Sequence, residues 1–138
     1  MKQKHILNNC RGESYIDLAV AVLVFVSMLV LAISLWSAVT LKQDMRYMAQ
    51  ELIDTATVSG QIGSEVNDRY TELCSEAGIM PTMKWEADYC DAAGKKVQLG
   101  DTMTVTLTHQ ITLPGFGGFT LPFSVKVRQS GLSRVYWK

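Results

Sequence analysis

Net charge is missing from this sequence: thirteen Lys and Arg balance thirteen Asp and Glu. No global field draws polyanions to it, and nucleic-acid binding is not expected. Histidine and cysteine are scarce, at two and three. No Gly-x-Ser-x-Gly elbow occurs, and no paired His and acid accompany a nucleophile. His109 sits on the apolar phase of an alternating run, where a hydrogen-bonded structural histidine is commoner than a base. Gly115, Gly117 and Gly118 separate two strand-like runs rather than a strand and a helix, so they form a flexible hairpin loop and not a phosphate cradle. Leu113-Pro114-Gly115-Phe116-Gly117 lacks the Thr, the apolar tail and the basic end of a sortase signal. The chain therefore does not read as an enzyme, and no cofactor is expected. At 138 residues it has room for one small domain.

A second absence is local. No charged residue occurs from Leu18 to Leu41, and Leu18 to Val39 reads LAVAVLVFVSMLVLAISLWSAV. As a helix these residues, 22 by count, reach roughly 33 Å, close to the roughly 30 Å of bilayer hydrocarbon. Burying them inside a soluble protein would need a wrapping that the remaining residues, with few apolar runs, do not offer. Ser27, Ser34 and Ser37 can bond to their own i−4 carbonyls and do not forbid insertion. The block is too long for a usual signal-peptide core, and its end lacks the small residues that a signal peptidase requires. Lys2, Lys4 and Arg11 precede it with no acid before Glu13, while ten basic and eleven acidic residues follow Asp17. The positive-inside bias places the N-terminus in the cytoplasm and residues from about Lys42 onward outside, with Trp36 near the outer interface.

Asp17 abuts this block, where a carboxylate must snorkel, pair or protonate. Glu13 and Asp17 also suit a helix N-terminus electrostatically. The residues Arg11-Gly12-Glu13-Ser14-Tyr15-Ile16-Asp17-Leu18 resemble the start of a type IV prepilin-like protein of the TadE type: a short basic leader, a Gly, an acid five residues on, then a long apolar helix. The RGESYID start, the GFGGF loop and the terminal VYWK resemble an uncharacterised pilin-like family of Gram-positive bacteria associated with conjugative elements. The resemblance implies that a prepilin peptidase cuts between Gly12 and Glu13, leaving the helix in the mature chain. It implies further that Asp17, standing where the family usually has Glu, pairs with the free N-terminal amine of a neighbouring subunit and sets its register.

The remainder is predicted to be α+β. Leu41, Met45, Met48, Leu52 and Ala56 continue the helix amphipathically, as a seam between subunits or as the face that docks the chain's own domain; a methionine stripe favours the latter. Gly60 and Gly63 break the run. Ser64 and Glu65 start a short helix with Val66, Tyr70, Leu73, Cys74 and Ala77 on one face, ended by Gly78 and Pro81. The period then switches to two: Met83, Trp85, Ala87 and Tyr89, a turn over residues 91–96, then Met103 to Leu113 and Phe119 to Val127, with a shorter strand expected over Leu132 to Trp137. A small antiparallel sheet of three or four strands with the helices on one face follows, which is also the pilin-like layout. The expected division is residues 1–12 as a basic cytoplasmic leader, 13–60 as the transmembrane and amphipathic helix, and 61–138 as the extracytoplasmic α+β domain.

Cys10 falls in the leader. Cys74 and Cys90 fall outside, where a disulfide would close a loop of 17 residues and stabilise by about 3 kcal/mol; two free thiols are the alternative. With one outer histidine they do not complete a zinc site, so no metal is expected. Lys126 and Arg128 share the outward phase of a strand, which reads as a solvated sheet face rather than a phosphate contact. The functional expectation is a membrane-anchored pilin-like (pseudopilin) subunit of a secretion, pilus or conjugation apparatus, with membrane lipid, other pilin-like subunits and a prepilin peptidase as partners. The alternative is an unprocessed single-pass membrane protein with an extracytoplasmic binding domain.

Overall fold

The computed structural model describes residues 10–114 and 120–138. Most of the predicted leader (residues 1–9) and the GFGGF loop (115–119) lie outside the described residues. Helix α1 spans Cys10–Ser59 without interruption, 50 residues or about 75 Å of rise. Between Glu13 and Ser59 there is no Gly or Pro, so nothing in the chain breaks it. It begins ahead of Glu13, so no break marks the expected boundary between residues 12 and 13.

The two halves of α1 meet different surroundings. From Met45 on, Met45, Met48, Ala49, Leu52, Ile53 and Ala56 are buried, a stripe of helical spacing. This stripe is the core of the chain's own α+β domain and not a seam between subunits. It packs against Met103, Val105, Leu107, Val125 and Val127 of the sheet and against Val66, Leu73 and Cys74 of α2 (Ser64–Ala77). Helix α2 ends where Gly78 adopts a left-handed φ of 67° and its amide donates to the Cys74 carbonyl at 3.0 Å. Arg69 of α2 donates to Glu51 of α1 at 3.0 Å and to its own helix's Glu72 at 2.7 Å. The bonds to Glu72 and then Glu51 raise the guanidinium's pKa above its ordinary value.

Five strands follow: β1 (Thr82–Ala87), β2 (Tyr89–Asp91), β3 (Lys96–Val97), β4 (Thr102–Pro114) and β5 (Thr120–Leu132). Strands β1, β4 and β5 form an antiparallel sheet with β4 in the centre, and β2 and β3 form a separate two-stranded ribbon. Alternation holds as expected on β1, where Met83, Trp85 and Ala87 are the half-buried residues. On the outer face of β4, Thr104 and Thr106 are nonetheless buried. The neighbouring strands cover them: Thr104 Oγ1 lies 2.9 Å from Ser130 Oγ, and Arg128 of β5 reaches across β4 to Glu86 of β1 at 3.0 Å.

The expected strand over Leu132 to Trp137 is a correction. Strand β5 ends at Leu132, and the last residues cap the C-terminus of α1 instead. A helix end leaves carbonyls without intrahelical partners. Here Arg134 N–H donates to Thr57 O at 3.0 Å, and the carbonyl of Gly60 accepts from Val97 N–H at 2.9 Å and from Trp137 Nε1 at 3.1 Å. The Trp137 backbone is clamped by Gln98 through bonds of 2.8 and 3.1 Å, and the Lys96 ammonium lies 4.5 Å from the indole centroid.

Candidate functional site

The first half of α1 projects from this domain with its apolar side chains uncovered. A segment of mean hydropathy 2.9 on this helix has none of its residues buried, making α1 one helix long and apolar enough to cross a membrane. From Leu18 to Val39 fifteen large apolar side chains are exposed, among them Phe25 at 63%, Met28 at 67% and Trp36 at 76%. Removing a large apolar side chain from water is worth roughly 1.5–3 kcal/mol. Halved for the shielding that the helix gives itself, fifteen of them amount to on the order of 20 kcal/mol, more than the ~5–15 kcal/mol that holds a typical domain folded. In water this surface dominates the energetics; in hydrocarbon it costs nothing.

Two hydroxyls within it, and one just past it, are satisfied locally. Ser27 Oγ donates to Leu23 O at 2.8 Å, Ser34 Oγ to Val30 O at 2.9 Å and Thr40 Oγ1 to Trp36 O at 3.1 Å. These are i−4 bonds, which leave these three hydroxyl protons with no need of water. Asp17 is exposed on α1 one turn before the apolar block deepens. Gly12 and Glu13 lie in the first turn of the same helix. The three residues singled out for processing and register are thus carried on one continuous helix.

The structure does not bring Cys74 and Cys90 together. Cys74 is a buried free thiol on the core face of α2, while Cys90 is an exposed free thiol on β2, its sulfur 3.3 Å from the Lys96 carbonyl. The expected disulfide is corrected on this point: the helix turns one sulfur inward and the ribbon turns the other to the surface. Beside Cys74, Tyr70 donates its hydroxyl to the Pro81 carbonyl. Burial, and secondarily the Cys74 thiol, push its phenol up to about 12. His109 is half-buried on β4 opposite Val125, beside Ser37 and Leu41 of α1. Among the described residues no group of three His, Cys, Asp or Glu side chains is placed to hold a metal ion.

One feature escaped the sequence reading. Strands β4 and β5 run well past the end of β1, whose pairing with β4 stops at Thr82 and Thr108. The extra length lies along α1 as a two-stranded hairpin. His109, Ile111 and Thr112 line a groove with Ile33, Ser34, Ser37 and Leu41, and Phe123 to Lys126 line another with Leu35, Ala38, Val39 and Lys42. The signal was present as a stretch from Thr102 to Val125 that contains no Asp, Glu, Lys or Arg.

Residues 21–138 match the family described as a domain of unknown function (DUF4320). The match starts inside the apolar block and runs to the last residue, so the Arg11 to Leu18 motif lies ahead of it. No curated protein and no solved structure matches the chain.

Proposed function

We propose that this chain, which belongs to the DUF4320 family, is a single-pass membrane protein that acts as a pilin-like structural subunit of a secretion, pilus or conjugation apparatus. The observation that carries this reading is the division of labour within α1. One unbroken helix offers an uncovered apolar half to lipid or to like helices, and its other half forms the core beneath an antiparallel sheet. Such a part serves by being anchored and packed rather than by turning over a substrate, and catalysis has no place in the proposal. Lys2, Lys4 and Arg11 favour a cytoplasmic N-terminus and an external α+β domain. Arg128, a candidate phosphate contact, is engaged with Glu86, in keeping with a partner other than nucleic acid.

In this reading a prepilin peptidase removes the segment through Gly12, and Asp17 then pairs with the new amine at Glu13 of an adjacent subunit. At the edge of the hydrocarbon an unpaired carboxylate is expensive, so the pair fixes the register of neighbouring helices. Intact-mass and N-terminal analysis of protein from native membranes tests the cleavage: a chain beginning at Glu13 is expected, and one retaining residues 1–12 removes the peptidase from the account. Asp17→Asn tests the pairing, which is wrong if that variant cross-links to its neighbours as wild type does. A second reading, an unprocessed anchor carrying an external binding domain, draws on the continuation of α1 through Gly12 to Cys10, which leaves no extended segment at the cut.

A further inference from the structure

A second element with little charge lies beside the apolar half of α1. Helix α1 runs from its apolar half toward Thr57, and β4 runs the opposite way, from Met103, paired with Gly131 beside Ile53 and Thr57, to Thr112 beside Ile33. The β4–β5 hairpin therefore descends along α1 toward the span. Placing the inner hydrocarbon boundary at Leu18, roughly 30 Å at 1.5 Å per residue puts the outer boundary near Ser37. Ile33 then lies about 6 Å inside that boundary, and Thr112 lines the same groove as Ile33. Strand β4 continues beyond Thr112 to Pro114, and β5 begins at Thr120.

Charge follows the same geometry. The hairpin has no charged residue from Gln110 to Val125, and Phe123 is 47% exposed at its surface although it lies on the strand phase that is buried farther up, at Val125 and Val127. The first cations above it, Lys126 on β5 and Lys42 on α1, line one groove together with Phe123, Leu35 and Val39. Lys42 stands five residues beyond Ser37, about 7 Å up, which is the level of lipid headgroups. Amphipathic lysines and an exposed indole such as Trp36 are the residues that settle at this interface.

We propose that the β4–β5 hairpin is a second membrane contact, with Ile111, Thr112 and Phe123 entering the outer-leaflet interface alongside α1 while Lys42 and Lys126 meet lipid phosphates. The proposal rests on the anchor reading of α1. Two contacts, one spanning and one interfacial, fix the tilt and rotation of the external domain on the bilayer, which a single helix leaves free. The occupant is lipid rather than a second protein because the hairpin face continues the apolar surface of the span itself, and because its rim is basic where anionic headgroups lie.

The full chain carrying Cys10→Ser and Cys90→Ser, with buried Cys74 left in place, is labelled with an environment-sensitive nitrobenzoxadiazole dye at Phe123→Cys. Parallel samples carry the label at Thr112→Cys, at Phe25→Cys in the span and at Ala92→Cys on the distant ribbon. Each is placed in nanodiscs of phosphatidylglycerol and phosphatidylcholine with a nitroxide near the head of the acyl chain. The labels at 123 and 112 are expected to be quenched by the lipid nitroxide and reduced by aqueous dithionite several-fold more slowly than the label at 92. Reduction at the rate of position 92, with position 25 still quenched by lipid, overturns the hairpin contact and leaves the anchor intact. Protection from dithionite without lipid quenching overturns lipid as the occupant and assigns the face to protein. Failure of lipid to quench position 25 overturns the anchor reading itself.

Discussion

Gly60 joins three segments at one carbonyl, and its replacement by Ala gives a stringent stability test. Its φ of 65° is left-handed, where an L side chain costs roughly 1–2 kcal/mol. A Cβ there would lie 2.5 Å from Val135 Cβ and 3.1 Å from Trp137 Nε1. Both atoms belong to the tail that caps α1, so the tail must retreat or the helix end must move, an overpacking cost of about 1–3 kcal/mol. Together Gly60→Ala should destabilise the α+β domain by about 2–5 kcal/mol. Chemical denaturation of the full chain in detergent micelles, followed by tryptophan fluorescence, reads this loss through Trp85 and Trp137. The steric part is separable: Val135→Gly removes the contacted Cβ, so it should harm the Gly60→Ala background less than wild type, with a coupling of about 1 kcal/mol or more. A Gly60→Ala variant within ~0.5 kcal/mol of wild type would refute the tail's role as the cap of α1.

Three other outcomes follow from the same contacts. Gly131→Ala places a methyl 2.6 Å from Ile53 Cγ2 and 2.8 Å from Thr57 Cγ2, so it should cost about 1–3 kcal/mol in the same assay by prising β5 from α1. Tyr70, held near 12, should be the last tyrosine to ionise in a 295 nm titration, and Tyr70→Phe should delete that late step. Its folded pKa exceeds the ordinary 10, so its contribution to stability is complete below pH 10 and is lost as pH rises from 10 through 12. A maleimide should modify Cys90 in the native chain and reach Cys74 only after unfolding, and reductant should leave the melting temperature unchanged; a mass shift of two protons on reduction contradicts the free-thiol assignment.

The long helix, the methionine stripe, the short helix and the strand phases were legible because each is a local periodicity backed by burial: Met45, Met48 and Leu52 repeat at the helical period, and Met83 and Trp85 at the strand period. What was not legible depended on distant partners. Val135 and Trp137 look like a strand by composition, yet the free carbonyls of Thr57 and Gly60, nearly eighty residues earlier, draw the tail into a cap. The spacing of Cys74 and Cys90 permitted a bridge, but the helix phase of one and the ribbon face of the other decided against it. The descent of the hairpin along α1 is set by a register of thirteen paired residues, visible in sequence only as missing charge. At the candidate site, the apolar half of α1 could be read directly, since hydropathy needs no partner to be recognised.

Residence of α1 in lipid is the premise of both the anchor and the hairpin contact. Washing native membranes with alkaline carbonate, which strips proteins held by polar contacts but not those spanning hydrocarbon, tests this directly. The full-length or processed chain should remain in the membrane pellet and leave it only with detergent. Recovery of the chain in the carbonate supernatant would contradict the assignment of Leu18 to Val39 as a membrane span.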